Sequence, residues 1–338
     1  MANVSVGTVD RIIHNRGQVT MENIEIVNAI IKKYGYKRNI YASNLALNKK
    51  FRIAVFLPKN EGLEYWLAPL NGIAKAAEEF GKFGVLIDYY FYKYDTESFK
   101  KIADKVLKLD YEGLLFAPVF YEESVVFLTE CKKKNIPIVM IDSNIQEIEG
   151  VAYIGQDAYQ SGYLAGKLIS YGIKSESNIL ILKITRETER TSKTTVYLQR
   201  IQGFYSYFKE NAFLPVFNFT EISTHDTSRN HLMVKMFLAI DCVFVPNSRV
   251  HIVAKFIKEN NLQGIRIVGY DLLKQNLDYL NDGIIDFLIH QKPEEQGYLG
   301  ISHLYKKLVL KEEAESITYM PLEILVKENY SYSQQSKL

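Results

Sequence analysis

Seven side chains stand where they could converge on one small polar molecule. Asp142 closes the run Ile136-Pro-Ile-Val-Met-Ile141, Asp271 closes Ile267-Val-Gly-Tyr270, and Gln291 closes Phe287-Leu-Ile-His290. Asn247 follows Val243-Phe-Val-Pro246, and Arg200 lies three residues before Gly203-Phe204. Tyr65 and Trp66 follow the apolar run Arg52–Leu57. A polyhydroxylated ligand is held by such a set: a planar guanidinium, carboxylate and carboxamide partners, and an aromatic face for its C–H surface. Each residue also has a plainer use. A strand-end aspartate caps the next helix, a lone tryptophan fills a core, and Arg200 pairs with Glu187 or Glu189.

Catalytic patterns are missing. The chain has no phosphate-cradling Gly-x-x-x-x-Gly-Lys, no Gly-x-Ser-x-Gly elbow and no His-Glu-x-x-His. His225-Asp226 reads as a turn and helix cap. His14, His231, His251 and His303 are scattered over helical stretches, and His290 reads as a hydrogen-bonding wall beside Gln291. Cys131 and Cys242 lack metal-ligand spacing and read as reduced core cysteines of a cytoplasmic protein. We therefore expect no enzyme activity, no cofactor and no metal.

The elements that must position the seven residues are short apolar strands alternating with helices. Strands are expected at Arg52–Leu57, Val85–Tyr92, Gly113–Ala117, Ile136–Ile141 and Val151–Ile154. A second set is expected at Asn178–Ile184, Val216–Glu221, Cys242–Pro246, Ile265–Tyr270 and Ile285–His290, with a last strand at Thr318–Val326. Helices fall between, at Leu70–Phe80, Thr96–Lys108, Gln160–Tyr171 and Val250–Asn260. Near-continuous Val/Ile/Leu strands imply parallel sheets covered on both faces, and two sets imply two α/β lobes. Ligands of such sheets bind outside the carboxyl ends of the strands, where the seven residues stand.

At 338 residues the chain has room for more than these lobes. No apolar run reaches the roughly 18 residues of a membrane span. Net charge is +2, yet the first 50 residues hold eight Lys or Arg against three Asp or Glu. A basic head on a slightly acidic body suits phosphate contact by the head. Within it, Ser5 is a good N-cap, and Val6, Val9, Ile12 and Ile13 fall at helical spacing as a stripe to lie on a neighbour. Ser5, Gly7, Thr8 and Arg11 form the slim polar face, which fits a DNA major groove. Thr20 caps the next helix, whose apolar face is Ile24, Ile26, Val27, Ile30 and Ile31.

Val4–Gly17, reading VSVGTVDRIIHNRG, resembles the recognition helix of the LacI-type bacterial transcription regulators. From Phe51 onward the chain resembles the periplasmic-binding-protein-like core of that family over nearly its whole length. The resemblance implies an α/β protein with a small all-α helix-turn-helix head, incomplete here, on a two-lobed core of parallel sheets. It divides the chain into a partial head at 1–38, a hinge helix at 39–50 and a core at 51–338. The N-lobe would take 51–157 and 292–316 and the C-lobe 158–291 and 317–328, with crossings near Gln156–Ala158, Gln291–Lys292 and Ser316–Met320.

What the resemblance implies for function is a ligand-responsive regulator that binds a palindromic operator as a homodimer. A sugar or sugar derivative would occupy the cleft, contacted by Tyr65, Trp66, Asp142, Arg200, Asn247, Asp271 and Gln291. Ser5, Val6, Gly7, Thr8 and Arg11 would face DNA, Val6 on a thymine methyl and Arg11 as the hydrogen-bonding reader. Asn39 would cap the hinge helix, and Leu45 would wedge into the minor groove. The family's first helix would precede Val4, where only Met1-Ala2-Asn3 stand, so the polypeptide as written is expected to dock poorly on DNA. The alternative is a cytosolic sugar-binding module that no longer binds DNA. Lys59, Arg186, Arg190 or Lys193 turned into the cleft would favour an acidic or phosphorylated sugar; the simpler reading has them facing water.

Overall fold

Apolar residues fill both faces of the strands in the body of the chain. In β1 (Phe51–Pro58), Ile53, Val55 and Leu57 enter one core cluster while Ala54 and Phe56 enter another. Alternation that buries both faces is the mark of a parallel sheet with helices on each side. The computed structural model describes residues 3–13, 17–34, 49–60, 64–185, 195–224, 230–313 and 315–335. The chain divides into two units, Met1–Lys49 and Lys50–Leu338.

The first sheet has the order β11-β5-β4-β3-β1-β2 and is parallel throughout. Its strands are β1, β2 (Val85–Tyr92), β3 (Gly113–Phe116), β4 (Ile138–Ile141), β5 (Ala152–Gly155) and β11 (Ile317–Tyr319). The second has the order β12-β10-β9-β8-β6-β7, parallel except for β12 against β10. It contains β6 (Asn178–Thr185), β7 (Val216–Ser223), β8 (Cys242–Phe244), β9 (Arg266–Tyr270), β10 (Phe287–His290) and β12 (Glu323–Leu325). Four apolar clusters, one on each face of each sheet, make the core.

One expectation changes here. Thr318–Val326 is two strands separated by Met320–Leu322, not one. Pro321 has no N–H to give a ladder. β11 stays in the first sheet beside β5 and β12 joins the second, so the last crossing lies at Met320–Leu322, at the end of the expected Ser316–Met320 range, and Ile317–Tyr319 belongs to the first lobe rather than the second. The other two crossings lie at Gln156–Asp157, after β5, and at Gln291–Lys292, after β10.

The N-terminal unit has α1 (Val6–Ile13) and α2 (Met21–Tyr34). Ser5 caps α1 as expected: its Oγ accepts from the Thr8 N–H at 3.1 Å. The apolar stripe is narrower than the sequence pattern. Ile12 and Val27 are buried, but Val6 is 87% exposed and Ile26 is exposed. A one-turn overhang at the start of so short a helix lies beyond its buried contact. Asn39 and Leu45 lie outside the described residues, as do His14, Arg186, Glu187, Glu189, Arg190, Lys193, His225 and Asp226.

In each lobe two helices meet backbone to backbone at glycines. α3 (Leu67–Gly81) packs on α11 (Pro293–Tyr305), with Gly72 against the Glu294 carbonyl and Gly297 against the Pro69 carbonyl. α6 (Ala158–Ser170) packs on α7 (Thr195–Glu210), with Gly162 against the carbonyl of Arg200 and Gly203 against that of Tyr159. A methyl at Gly162 would collide with the Arg200 backbone. In an ordinary helix Gly→Ala stabilises by about 1 kcal/mol. Here Gly162→Ala is expected to destabilise by about 1–3 kcal/mol, measured by urea unfolding; a gain in stability would show that the helices are not in this contact.

Candidate functional site

Each lobe sends an aspartate past the end of its fourth strand. Asp142 follows β4 and Asp271 follows β9, and both have left-handed backbones, with φ of 67° and 69°. Aspartate tolerates that conformation better than most residues, at some cost in strain. The two crossings that follow the fifth strands carry a glutamine each, Gln156 after β5 and Gln291 after β10. The two lobes thus repeat the same pair of polar positions.

Arg200, on α7, ties these positions together. It is 3% exposed. Its Nη1 donates to the Pro246 carbonyl at 2.9 Å, and its Nη2 donates to Gln156 Oε1 at 3.0 Å and Gln291 Oε1 at 3.1 Å. The guanidinium lies over the Tyr270 ring, 3.8 Å from its centroid, a cation–π contact strengthened by burial. Gln291 Nε2 donates to Asp271 Oδ2 at 2.9 Å. Gln296 of α11 donates to the Gln291 carbonyl at 2.7 Å and accepts from the Asp142 N–H at 2.9 Å. Tyr65 donates its hydroxyl to Asp142 Oδ1 at 2.6 Å, and Ser143 donates to Oδ2. Asn247 spans the second lobe, donating to the Ile184 carbonyl at 2.7 Å and accepting from the Arg249 N–H.

All seven residues singled out in the sequence line one cavity. Their plainer uses resolve differently. The side chains of Asp142 and Asp271 accept from Tyr65, Ser143 and Gln291, and neither is the N-cap of a described helix. Trp66 is both lining and core: it is buried, sits edge-on to Tyr65 at 5.2 Å and joins the first-sheet cluster. Tyr94, Ser143, Tyr197, Ser248 and Arg249 line the cavity too and were not singled out. Gln156, which does not line the cavity but accepts from Arg200, was missed as a positioning residue, although it could have been found by matching the ends of the two strand sets.

Three buried polar atoms of this cluster have no hydrogen-bond partner: Arg200 Nε, Asp271 Oδ1 and Gln156 Nε2. Such atoms are rare in folded proteins and call for a cause. Arg200 and Asp271 line the cavity and Gln156 does not; Nε is a donor and Oδ1 an acceptor, a demand that a hydroxyl, both donor and acceptor, can meet. Among the described residues no group of three or more His, Cys, Asp or Glu is placed to hold a metal.

Burial also sets the charge states. It pushes the Asp271 carboxyl up to about 7, opposed by Arg200 and the hydrogen bond from Gln291. It raises Asp142, opposed by the Tyr65 hydroxyl and Arg200. Burial, followed by the Asp142 charge, keeps the Tyr65 phenol well above its ordinary value and hence a donor.

Two α/β lobes joined by three crossings, with a polar cleft at the carboxyl ends of both sheets, define a small-molecule binding protein of the clamshell kind. The chain belongs to the family described as periplasmic binding protein domain, whose profile matches residues 53–312. It is similar to the HTH-type transcriptional repressor PurR of Klebsiella pneumoniae, 23% identical over 95% of this chain and 92% of that one. It is similar as well to Catabolite control protein A of Staphylococcus aureus, 25% identical over 52% of this chain; the match spans about half of that relative, 51%. A solved Bacteroides fragilis protein described as a LacI transcriptional regulator is 27% identical, over 84% of this chain and 99% of that one, with a TM-score of 0.77. A glucose-galactose binding protein of Geobacillus stearothermophilus shares the fold, at 22% identity over 83% of this chain and 99% of that one and a TM-score of 0.71. These relatives are transcription regulators and binding proteins, not enzymes. No helix among the described residues is long and apolar enough to cross a membrane.

The raised Asp271 makes stability depend on pH with a definite sign. An unfolded aspartate titrates near 3.9, so from there to about pH 7 the folded chain keeps a proton that the unfolded chain has lost. That contribution is full below about pH 4 and is lost as pH rises towards 7. Asp142 and Asp286, also raised by burial, act in the same direction. Asp271→Asn is therefore expected to gain stability relative to the parent chain as pH goes from 4 to 7, read by urea unfolding at each pH. A difference that shrinks over that interval would refute the assignment.

Proposed function

We infer that this chain is a ligand-responsive transcriptional regulator, and that its effector is a sugar-like molecule bound between the lobes. The observation that carries the ligand class is the pair of unpartnered atoms on the cavity-lining Arg200 and Asp271, set in a buried cluster of carboxylate, carboxamide and guanidinium groups. A ring hydroxyl that accepts from Arg200 Nε and donates to Asp271 Oδ1 supplies what the chain itself does not. Tyr65, Trp66, Asp142, Asn247 and Gln291 complete the contact set. The fold shared with a glucose-galactose binding protein supports this reading.

Regulation follows from where Arg200 is anchored. Its two glutamine partners sit on two of the three crossings between the lobes. A ligand that engages the guanidinium therefore acts on the segments that set the lobe angle. That gives two sites coupled through two global states, the physical content of allostery. The likeness to a transcriptional repressor over nearly the whole chain supports the operator-binding half. So do the Ser5 cap and the exposure of Ser5, Val6, Gly7 and Arg11, with Thr8 half-buried. In this reading the protein acts in the cytoplasm as a homodimer on a two-half-site operator, with the head in 1–38, the hinge in 39–50 and the core in 51–338. Asn39 and Leu45 are hinge contacts to DNA.

Thermal shift against neutral, acidic and phosphorylated sugars tests the sensor. At about a hundred times its Kd, a ligand stabilises by about 2.7 kcal/mol. The shift is expected to vanish in Arg200→Ala and to weaken in Arg200→Lys, which keeps the charge but loses the planar fork. An undiminished shift in both would move the ligand elsewhere.

Fluorescence anisotropy with operator-length duplexes tests the regulator. The effector is expected to change DNA affinity, and Arg11→Ala to weaken sequence-specific binding by about 1–3 kcal/mol. Sugar binding with no DNA affinity would leave a sugar-binding module.

A further inference from the structure

The cavity around Arg200 holds about 70 Å³, far below the roughly 300–1,000 Å³ of small-molecule sites. A second cavity of about 530 Å³ adjoins it. Tyr65 and Asp271 line both, so the two cavities meet at those residues. Asp271 is 2% exposed, and its Oδ1 is one of the three unpartnered atoms. A polar demand therefore sits where the two cavities meet.

We propose that the effector is a neutral disaccharide or longer saccharide, with one ring at Arg200 and the next in the second compartment beyond Tyr65 and Asp271. This rests on the sugar-sensor reading and names the class of sugar.

The lining of the second compartment argues for a neutral saccharide rather than an anionic one. Lys274 and Lys292 line it together with Glu294 and Glu295, and Glu294 is held by Lys75 at 2.8 Å. Lys292 lies 3.8 Å from Glu295 and 3.4 Å from Glu323, so its charge is already met by carboxylates. Leu67, Leu273 and Pro293 give an apolar surface for the C–H face of a ring. Three helices begin at this cavity: α3, α10 (Lys274–Asn281) and α11. None has a side-chain hydrogen bond from its N-cap residue.

Calorimetric titration of the full chain with glucose and galactose, and with maltose, cellobiose, lactose and melibiose, tests this. At least one disaccharide is expected to bind tenfold or more tighter than its component monosaccharides. Ala68 borders the second compartment and Asn71 lines it from the next turn of α3. Ala68→Trp and, separately, Asn71→Phe are expected to cut the disaccharide advantage below threefold and leave monosaccharide affinity within twofold. Two variants are used so that a folding defect in one does not decide the matter. Monosaccharides binding as tightly as every disaccharide, or an advantage that survives both substitutions, would overturn the proposal and leave the sensor reading intact. Binding of no saccharide by the parent chain would overturn both.

Discussion

A buried guanidinium must be answered by acceptors or it unfolds what surrounds it. Arg200 is answered from four directions: the Pro246 carbonyl, Gln156, Gln291 and the face of Tyr270. None of these partners is its sequence neighbour, and two lie on chain crossings. The position of α7 decides whether they can all be met. α7 is fixed by the closest packing available to a helix pair, with Gly162 under the Arg200 carbonyl itself. Site geometry and helix packing are thus one constraint: the residue that reaches into the cleft is the residue whose backbone rests on a glycine.

The doubled architecture supplies the rest. Equivalent strands end in Asp142 and Asp271, and equivalent crossings carry Gln156 and Gln291. Arg200 and Gln296 break the repeat and connect its halves. Arg200 bonds the glutamines of both crossings, and Gln296 links the Asp142 backbone to that of Gln291. A change in lobe angle has to rearrange this network, because its members stand on both sides of the crossings.

Much of this is legible in the amino-acid sequence. Strand positions follow from apolar runs, and carboxyl-end placement follows from the way parallel sheets are wound, so all seven candidate residues fall on one cavity. What the sequence does not reveal depends on tertiary contact. Gln156 looks like any loop glutamine until Arg200 reaches it from 44 residues away along the chain. Val6 fits a helical stripe but extends past the surface that buries Ile12. Thr318–Val326 has the composition of one strand, and only the two sheets show that Pro321 divides it. Trp66 is core and cavity wall at once, which a choice between the two could not express.

The site keeps features that a core selected for stability alone would lose: two aspartates in left-handed backbone and three polar atoms without partners. An unsatisfied buried polar atom costs about 1–3 kcal/mol. Two of the three, Arg200 Nε and Asp271 Oδ1, belong to residues that line the cavity. Arg200 is bonded to the glutamines of two crossings, so the guanidinium that carries one of these atoms is held by the segments that join the lobes. Local rules are broken where the chain must respond to something outside itself, and in this chain they are broken at Arg200, Asp271 and Gln156.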